Sequence, residues 1–308
     1  MCSKIYLLVL LISASTTLSL CEGLYSQLSR HARAASSPPV GQISAKKCEE
    51  YSKIVKNNEC TQFNPDKPWD YEAKTGEFPH LALLNVKGDN KLFCAGSLIS
   101  DKFVLTTAVC ANGLNKKGNG TFWVRLGENS LQPTASEKPV VLNRYKVIKA
   151  YNHPGYGGDK RENDISLLEL EKRVQFGELM RPACLNINKE IAEPVFVAGW
   201  GITDNIRKRD YTTLLKTVLE ISKKNEKPLN LDPESPLFIL TKPKSGNKDA
   251  CTGDSGAPLM TNLKDLPCMF NIVGIVAYGS NCVVHQTAST RISNYIPWIE
   301  SIVWPGEH

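Results

Sequence analysis

From Gly76 onward, short apolar runs alternate with turn-forming residues. The runs lie at 81–86, 122–127, 140–150, 165–170, 195–200, 214–221 and 270–278. They are rich in β-branched side chains and closely spaced, a pattern that predicts strands. At 293–304 the period changes, because Ile296, Ile299 and Val303 fall at helical spacing. Many short strands and one closing helix predict an all-β barrel or sandwich. The patterned stretch of about 240 residues is long for one small barrel and accommodates two.

The chain before this stretch reads differently. Lys4 gives a short basic start, 5–12 form an apolar core, and small residues follow from Ser13 to Ser19. Residues 1–21 are therefore expected to be a secretory signal, and the rest extracellular. The apolar run is too short for a membrane span. Residues 22–66 form a polar N-terminal segment, with a flexible linker at Ala34-Ala-Ser-Ser-Pro-Pro39. Around Lys46-Lys-Cys-Glu-Glu-Tyr51 a short helix or turn is expected, pinned through Cys48.

Ten cysteines are present, eight of them beyond the expected signal and Cys21. An even number in a secreted chain implies disulfides, and no pair has the close spacing of a zinc site. Neither a metal nor a cofactor is expected. The formal charge of +6 is modest and scattered, which argues against a nucleic-acid partner. Asn119-Gly-Thr121 is a glycosylation acceptor sequence in a Gly- and Asn-rich loop.

Acyl-transfer chemistry needs a hydroxyl on a tight turn, with residues small enough to let a carbonyl reach backbone N–H groups. Gly253-Asp-Ser-Gly256 supplies that turn, with Cys251 before it and Ala257-Pro258 after it. With these segments the chain resembles the trypsin/chymotrypsin family, and insect immune serine proteases in particular. The resemblance also rests on Gly76-Glu-Phe-Pro-His80, Cys94-Ala-Gly-Ser-Leu-Ile99, Val104–Cys110, Asn163-Asp-Ile-Ser-Leu-Leu168, Arg181-Pro-Ala-Cys184 and Val197-Ala-Gly-Trp-Gly201. It implies two six-stranded Greek-key β-barrels over 67–308, a C-terminal helix, and a site between the barrels. No six-cysteine clip domain precedes them in the expected layout.

Carried over residue by residue, the resemblance makes Asp164 the orienting acid and Ser255 the nucleophile. The backbone N–H groups of Gly253 and Ser255 become the oxyanion hole. The position of the general base holds Val109. An isopropyl group cannot accept the serine proton or return it to the leaving amine. Loss of the base in this machinery costs on the order of a million-fold in turnover. Rescue by His80, His153 or His285 requires a ring within hydrogen-bond reach of Ser255.

Other positions depart from the family pattern. Asp249 matches the acid at the base of a pocket for Arg or Lys, but its walls read Gly279 and Thr287 where glycines are usual. Ala277-Tyr278 replace the usual Ser-Trp, and Ala257 stands where a second glycine normally follows. The activation sequence Ile-Val-Gly-Gly aligns with Lys67-Pro-Trp-Asp70, so Asp254 is expected to lack its usual α-ammonium partner. The resemblance further implies the disulfides Cys94–Cys110 and Cys251–Cys282. It ties Cys184 to the N-terminal segment, read as Cys60, which leaves Cys48 for Cys268. These features predict a secreted, inactive protease homologue that binds extracellular proteases or their zymogens as a cofactor or regulator. The alternatives are an endopeptidase with a surrogate base, and a decoy or adhesion module.

Overall fold

The computed structural model describes residues 39–54, 72–86, 93–117, 121–130, 143–158, 162–200, 213–222, 235–243, 255–263, 265–266, 269–279 and 286–307. Residues 40–307 form one compact unit. Its first half is a closed antiparallel barrel of six strands. These are β1 (Leu81–Val86), β2 (Cys94–Leu98), β3 (Phe103–Thr106), β4 (Phe122–Leu126), β5 (Asn143–Asn152) and β6 (Ser166–Leu170). They pair in the order β1-β2-β3-β6-β5-β4, and β4 closes onto β1.

The second half contains β7 (Cys184–Leu185), β8 (Val195–Gly199), β9 (Leu215–Ile221), β10 (Phe238–Pro243), β11 (Pro258–Asn262), β12 (Phe270–Gly279) and β13 (Thr287–Arg291). Six of these close a second ring in the order β8-β9-β10-β13-β12-β11, with β11 returning to β8. The two-residue β7 lies parallel to β12 on its outer side. Two antiparallel six-stranded barrels and a short C-terminal helix are therefore present, as the sequence predicts.

The period of two explains why β1 reads as an uninterrupted apolar run. Successive side chains of a strand point to opposite faces, and here both faces are covered. Ala82 and Leu84 enter the first barrel's interior beside Leu98, Val104 and Leu168. Leu81 and Leu83 point the other way, onto Phe196 and Trp200 of the second half. On β8, Phe196 and Ala198 meet that same shared cluster, while Val195 and Val197 line the second barrel with Ile239, Leu259 and Val273. Each large apolar side chain buried this way contributes roughly 1.5–3 kcal/mol.

Among the described residues, three α-helices complete the unit. Helix α1 (Gln42–Ser52) forms where a short helix or turn is expected around Cys48, and it starts four residues earlier. Helix α2 (Ala108–Lys117) follows β3, and α3 (Ile296–Val303) closes the chain after a 3-10 turn at Ile292–Asn294. Ile296, Ile299 and Val303 form the expected stripe, packed with Phe103, Leu105, Leu167 and, from α1, Ile43. Buried Glu300 on α3 accepts hydrogen bonds from the backbone N–H of Ser44 at 2.7 Å and of Gly41 at 3.4 Å. A carboxylate at the start of α1 satisfies N–H groups that have no partner inside the helix.

This docking corrects the disulfide assignment. Helix α1 packs on β7 and brings the Cα of Cys48 to 5.0 Å from that of Cys184, and the two are bonded. The expected Cys60–Cys184 bridge therefore does not form, nor does Cys48–Cys268. Nearness along the chain favoured Cys60, whereas the helix sets the spatial neighbour. Cys94 is bonded to Cys110, joining β2 to α2. Cys60, Cys251, Cys268 and Cys282 lie outside the described residues.

Candidate functional site

The site is assembled at the end of β3, the turn before β6 and the turn before β11. Thr106 ends β3 and donates its hydroxyl to the carbonyl of Ala95 at 2.8 Å, fixing the chain's exit from the barrel. Two residues later α2 begins. Thr107 Oγ1 accepts the Cys110 N–H at 3.4 Å, a local cap on the first turn. Val109 is the second residue of the helix, and 46% of its surface is exposed.

Asp164 is aimed by its backbone. Asn163 adopts φ 58°, a left-handed conformation that asparagine tolerates better than most residues. Its side chain anchors the turn at both ends: Nδ2 donates to the Gly155 carbonyl at 3.0 Å, and Oδ1 accepts the Tyr295 hydroxyl at 3.1 Å. The Asp164 carbonyl accepts the Thr290 hydroxyl at 3.1 Å. The carboxylate is 5% exposed, and its Oδ1 accepts the Val109 backbone N–H at 2.9 Å. Desolvation pushes its pKa up to about 6, against the opposing pull of hydrogen bonds from the Val109 and Ala108 N–H groups.

Ser255 enters from the second half. Its carbonyl accepts the Ala95 N–H at 2.9 Å and lies 3.5 Å from the Cys110 sulfur, next to Val109. Gly256 follows at φ 84° and donates to the Val276 carbonyl at 2.8 Å. A Cβ there would run into the Ala95 carbonyl and Thr106 Oγ1, so only glycine lets this turn sit against the first barrel. Ala257 is fully buried among Val197, Leu259 and Val276. The structure thus brings Val109, Asp164 and Ser255 to one place.

The remaining candidates divide. Thr287 opens β13, is fully buried, and pairs in register with Gly279 on β12. A bulge at Ala277, between Val276 and Tyr278, precedes that pair. Asp249, Gly253, Asp254, Asn119 and His285 lie outside the described residues, as does Lys67-Pro-Trp-Asp70. Among the described residues no group of three His, Cys, Asp or Glu side chains gathers as a metal site would. No described helix is long and apolar enough to cross a membrane.

Two histidines are accounted for. His80 is buried, with Nε2 3.0 Å from Met260 Sδ and its ring against Phe78 and Phe270. Desolvation pulls its pKa down to about 3, so it stays neutral. His153 packs edge-on against Tyr295 and Trp298 and accepts the Gly155 N–H at 3.2 Å. Both rings are committed to these contacts rather than to Ser255. Sequence reasoning missed the support of Asp164 by Thr290 and Tyr295. The one local signal was Asn163, a residue type suited to a left-handed turn.

A family model described as trypsin matches residues 68–299. That span covers both barrels and the first half of α3. The chain belongs to the trypsin family. It is 31% identical over 251 residues to Serine protease Hayan of Drosophila melanogaster, covering 75% of this chain and 38% of that protein. It is 32% identical over 250 residues to Phenoloxidase-activating enzyme 1 of Spodoptera litura, covering 74% and 64%. It is also 28% identical over 246 residues to Inactive CLIP domain-containing serine protease A3 of Aedes aegypti, covering 75% and 50%. The match thus spans between 38% and 64% of these three relatives.

Proposed function

We propose that this trypsin-family chain is a secreted protease homologue without proteolytic turnover, acting by binding as a cofactor or regulator in an extracellular protease cascade. The observation that carries the reading is the partner of Asp164. The buried acid is held by the N–H groups of Val109 and Ala108, and the residue at the position that the resemblance gives to the base carries only an isopropyl group. In acyl transfer by a serine, a base must take the hydroxyl proton as the Oγ–carbon bond forms and return it to the departing amine. Neither step is open to a hydrocarbon. The commitment of His80 and His153 to other contacts argues against a surrogate base.

Two further lines support the reading. Thr287, buried and paired with Gly279, is a β-branched residue at a position that the resemblance assigns to the wall of a pocket for Arg or Lys. The names of the Spodoptera and Aedes relatives mention phenoloxidase activation and inactivity, and both point towards a regulatory rather than digestive setting. The reading is tested by a fluorophosphonate probe on the full secreted chain, with Ser255→Ala as control. No labelling above the control is expected. Robust wild-type labelling that Ser255→Ala abolishes overturns it.

A further inference from the structure

The turn that carries Asp164 is closed into a ring of contacts by the residues that follow β5. Strand β5 ends at Asn152, and the His153 backbone N–H donates to the Ile165 carbonyl at 3.1 Å. The His153 side chain then accepts the Gly155 N–H through Nδ1 at 3.2 Å. The Gly155 carbonyl accepts Asn163 Nδ2 at 3.0 Å, and Asn163 Oδ1 accepts the Tyr295 hydroxyl at 3.1 Å. The Tyr295 ring returns to His153 with centroids 5.1 Å apart, and Trp298 meets the same imidazole at 5.2 Å.

One member of this ring reverses its hydrogen-bonding sense in mild acid. An imidazole accepts through Nδ1 only while its single proton sits on Nε2. Protonation makes both nitrogens donors, so the Gly155 N–H then faces another N–H at 3.2 Å. The imidazole has little room to turn aside. A Cβ on Gly155 would lie 3.0 Å from Asn163 Nδ2 and 3.3 Å from His153 Nδ1, and Tyr295 and Trp298 also pack on the ring. Unlike His80, His153 is only partly buried and neighbours exposed Pro154 and Gly155, so solvent protons reach it. The charged groups around it are named element by element. From the turn before β6, Glu162 and Asp164 act on Tyr295, which burial pushes up to about 12 and so keeps neutral. Helix α3 turns Glu300 towards α1, and β5 lays Lys149 over Tyr151. Asp159, Lys160 and Arg161 of the same connection lie outside the described residues.

We propose that the His153–Gly155 bond is a pH-operated latch on the Asn163–Asp164 turn, closed while the imidazole is neutral and released when it is protonated. The inference goes beyond the reading of the chain as an inactive homologue and holds whether or not Ser255 reacts. Desolvation holds the His153 pKa below its ordinary 6.5, so the fold favours the neutral ring. The latch is therefore complete above pH 6.5 and is lost as pH falls below that value. Release leaves Gly155 without its acceptor and loosens one of the two anchors of Asn163. The surface that carries Asp164 thus has a neutral-pH form and an acid form. An asparagine at position 153 makes the same bond without a titrating group, because its side-chain carbonyl accepts the N–H two residues on.

The test follows the full isotope-labelled chain by NMR from about pH 8 to about pH 5, across the range in which an imidazole titrates. It reads the His153 Cε1–H, the Gly155 amide and the Asn163 side-chain amide. All three should move on one curve with a midpoint below 6.5, and the Gly155 amide proton should move upfield as its bond is lost. In His153→Asn that proton should stay downfield throughout. In His153→Phe, which keeps a ring beside Tyr295 and Trp298, it should stay upfield throughout. Asp164→Asn removes the neighbouring carboxyl that titrates at about 6 and should leave the curve in place. A Gly155 amide that does not follow His153 overturns the proposal, as does a response that survives His153→Asn or vanishes in Asp164→Asn.

Discussion

Replacing Asp164 by asparagine removes an ionisation that the fold makes unfavourable, and the size of that effect follows from its burial. The carboxyl has an ordinary pKa of 3.8 and a folded value of about 6. A difference of about 2 units corresponds to roughly 3 kcal/mol, at about 1.4 kcal/mol per unit. The direction is opposite to that of a salt-bridged carboxylate. The folded state holds the proton more tightly than the unfolded chain, so the stabilising contribution is complete below pH 3.8 and is lost as pH rises through about 6. Asparagine keeps a carbonyl for the Val109 N–H and carries no charge.

The variant and the wild type should therefore differ little near pH 3.5, and the variant should be more stable by roughly 3 kcal/mol near pH 7.5. For a unit of this size that is a rise in Tm of about 6–12 °C. Urea unfolding of both proteins at the two pH values measures it, and taking the difference between them cancels every other titrating group. A stability difference that stays the same to within about 0.5 kcal/mol at both pH values would refute the reasoning.

Two further substitutions probe the scaffold. Lys216 on β9 donates to both oxygens of Glu77, at 2.7 and 2.9 Å, and both side chains are buried. Glu77→Ala should cost about 3–5 kcal/mol in chemical denaturation by leaving that ammonium without its carboxylate, while Glu77→Leu with Lys216→Met should recover most of the loss. Glu300→Ala strips the acceptor from Ser44 and Gly41 at the start of α1. It should cost about 1–3 kcal/mol and raise amide exchange in Gln42–Ser52 before the barrels open, and unchanged exchange there would count against the clamp.

What could be read from the chain follows from how each residue makes its contacts. Strands β1, β4, β8, β9 and β12 announce themselves because their side chains are large, apolar and β-branched. Strand β2 is Cys-Ala-Gly-Ser-Leu, with every residue buried, and its small side chains leave no alternation to detect. Those small residues are needed because the Ser255 turn docks on Ala95 and a Cβ at Gly96 would meet Val104 and Leu105. The bulge in β5 between Val147 and Lys149 shifts its register, which no period-of-two reading anticipates.

The candidate site was legible in the residues that short motifs single out, Val109, Asp164 and Ser255, which the fold brings near one another. It was illegible where support comes from far along the chain. Thr290 and Tyr295 reach the Asn163–Asp164 turn across more than 120 residues, and neither looks unusual in the sequence. The Cys48–Cys184 bond was missed for a related reason. Its geometry depends on α1 docking against α3 through Glu300, a contact 256 residues apart for Ser44.

The left-handed Asn163 has a consequence for how a base can be lost. The acid is aimed by its own turn, by Gly155 and by Tyr295, and its carboxylate is received by main-chain N–H groups, one of which any residue but proline at position 109 would offer. Orientation and proton transfer therefore reside in separable parts of the chain. A lineage can exchange the residue at position 109 without unfastening the acid, and the aimed carboxylate remains as an inherited foothold on which a new recognition role can be selected.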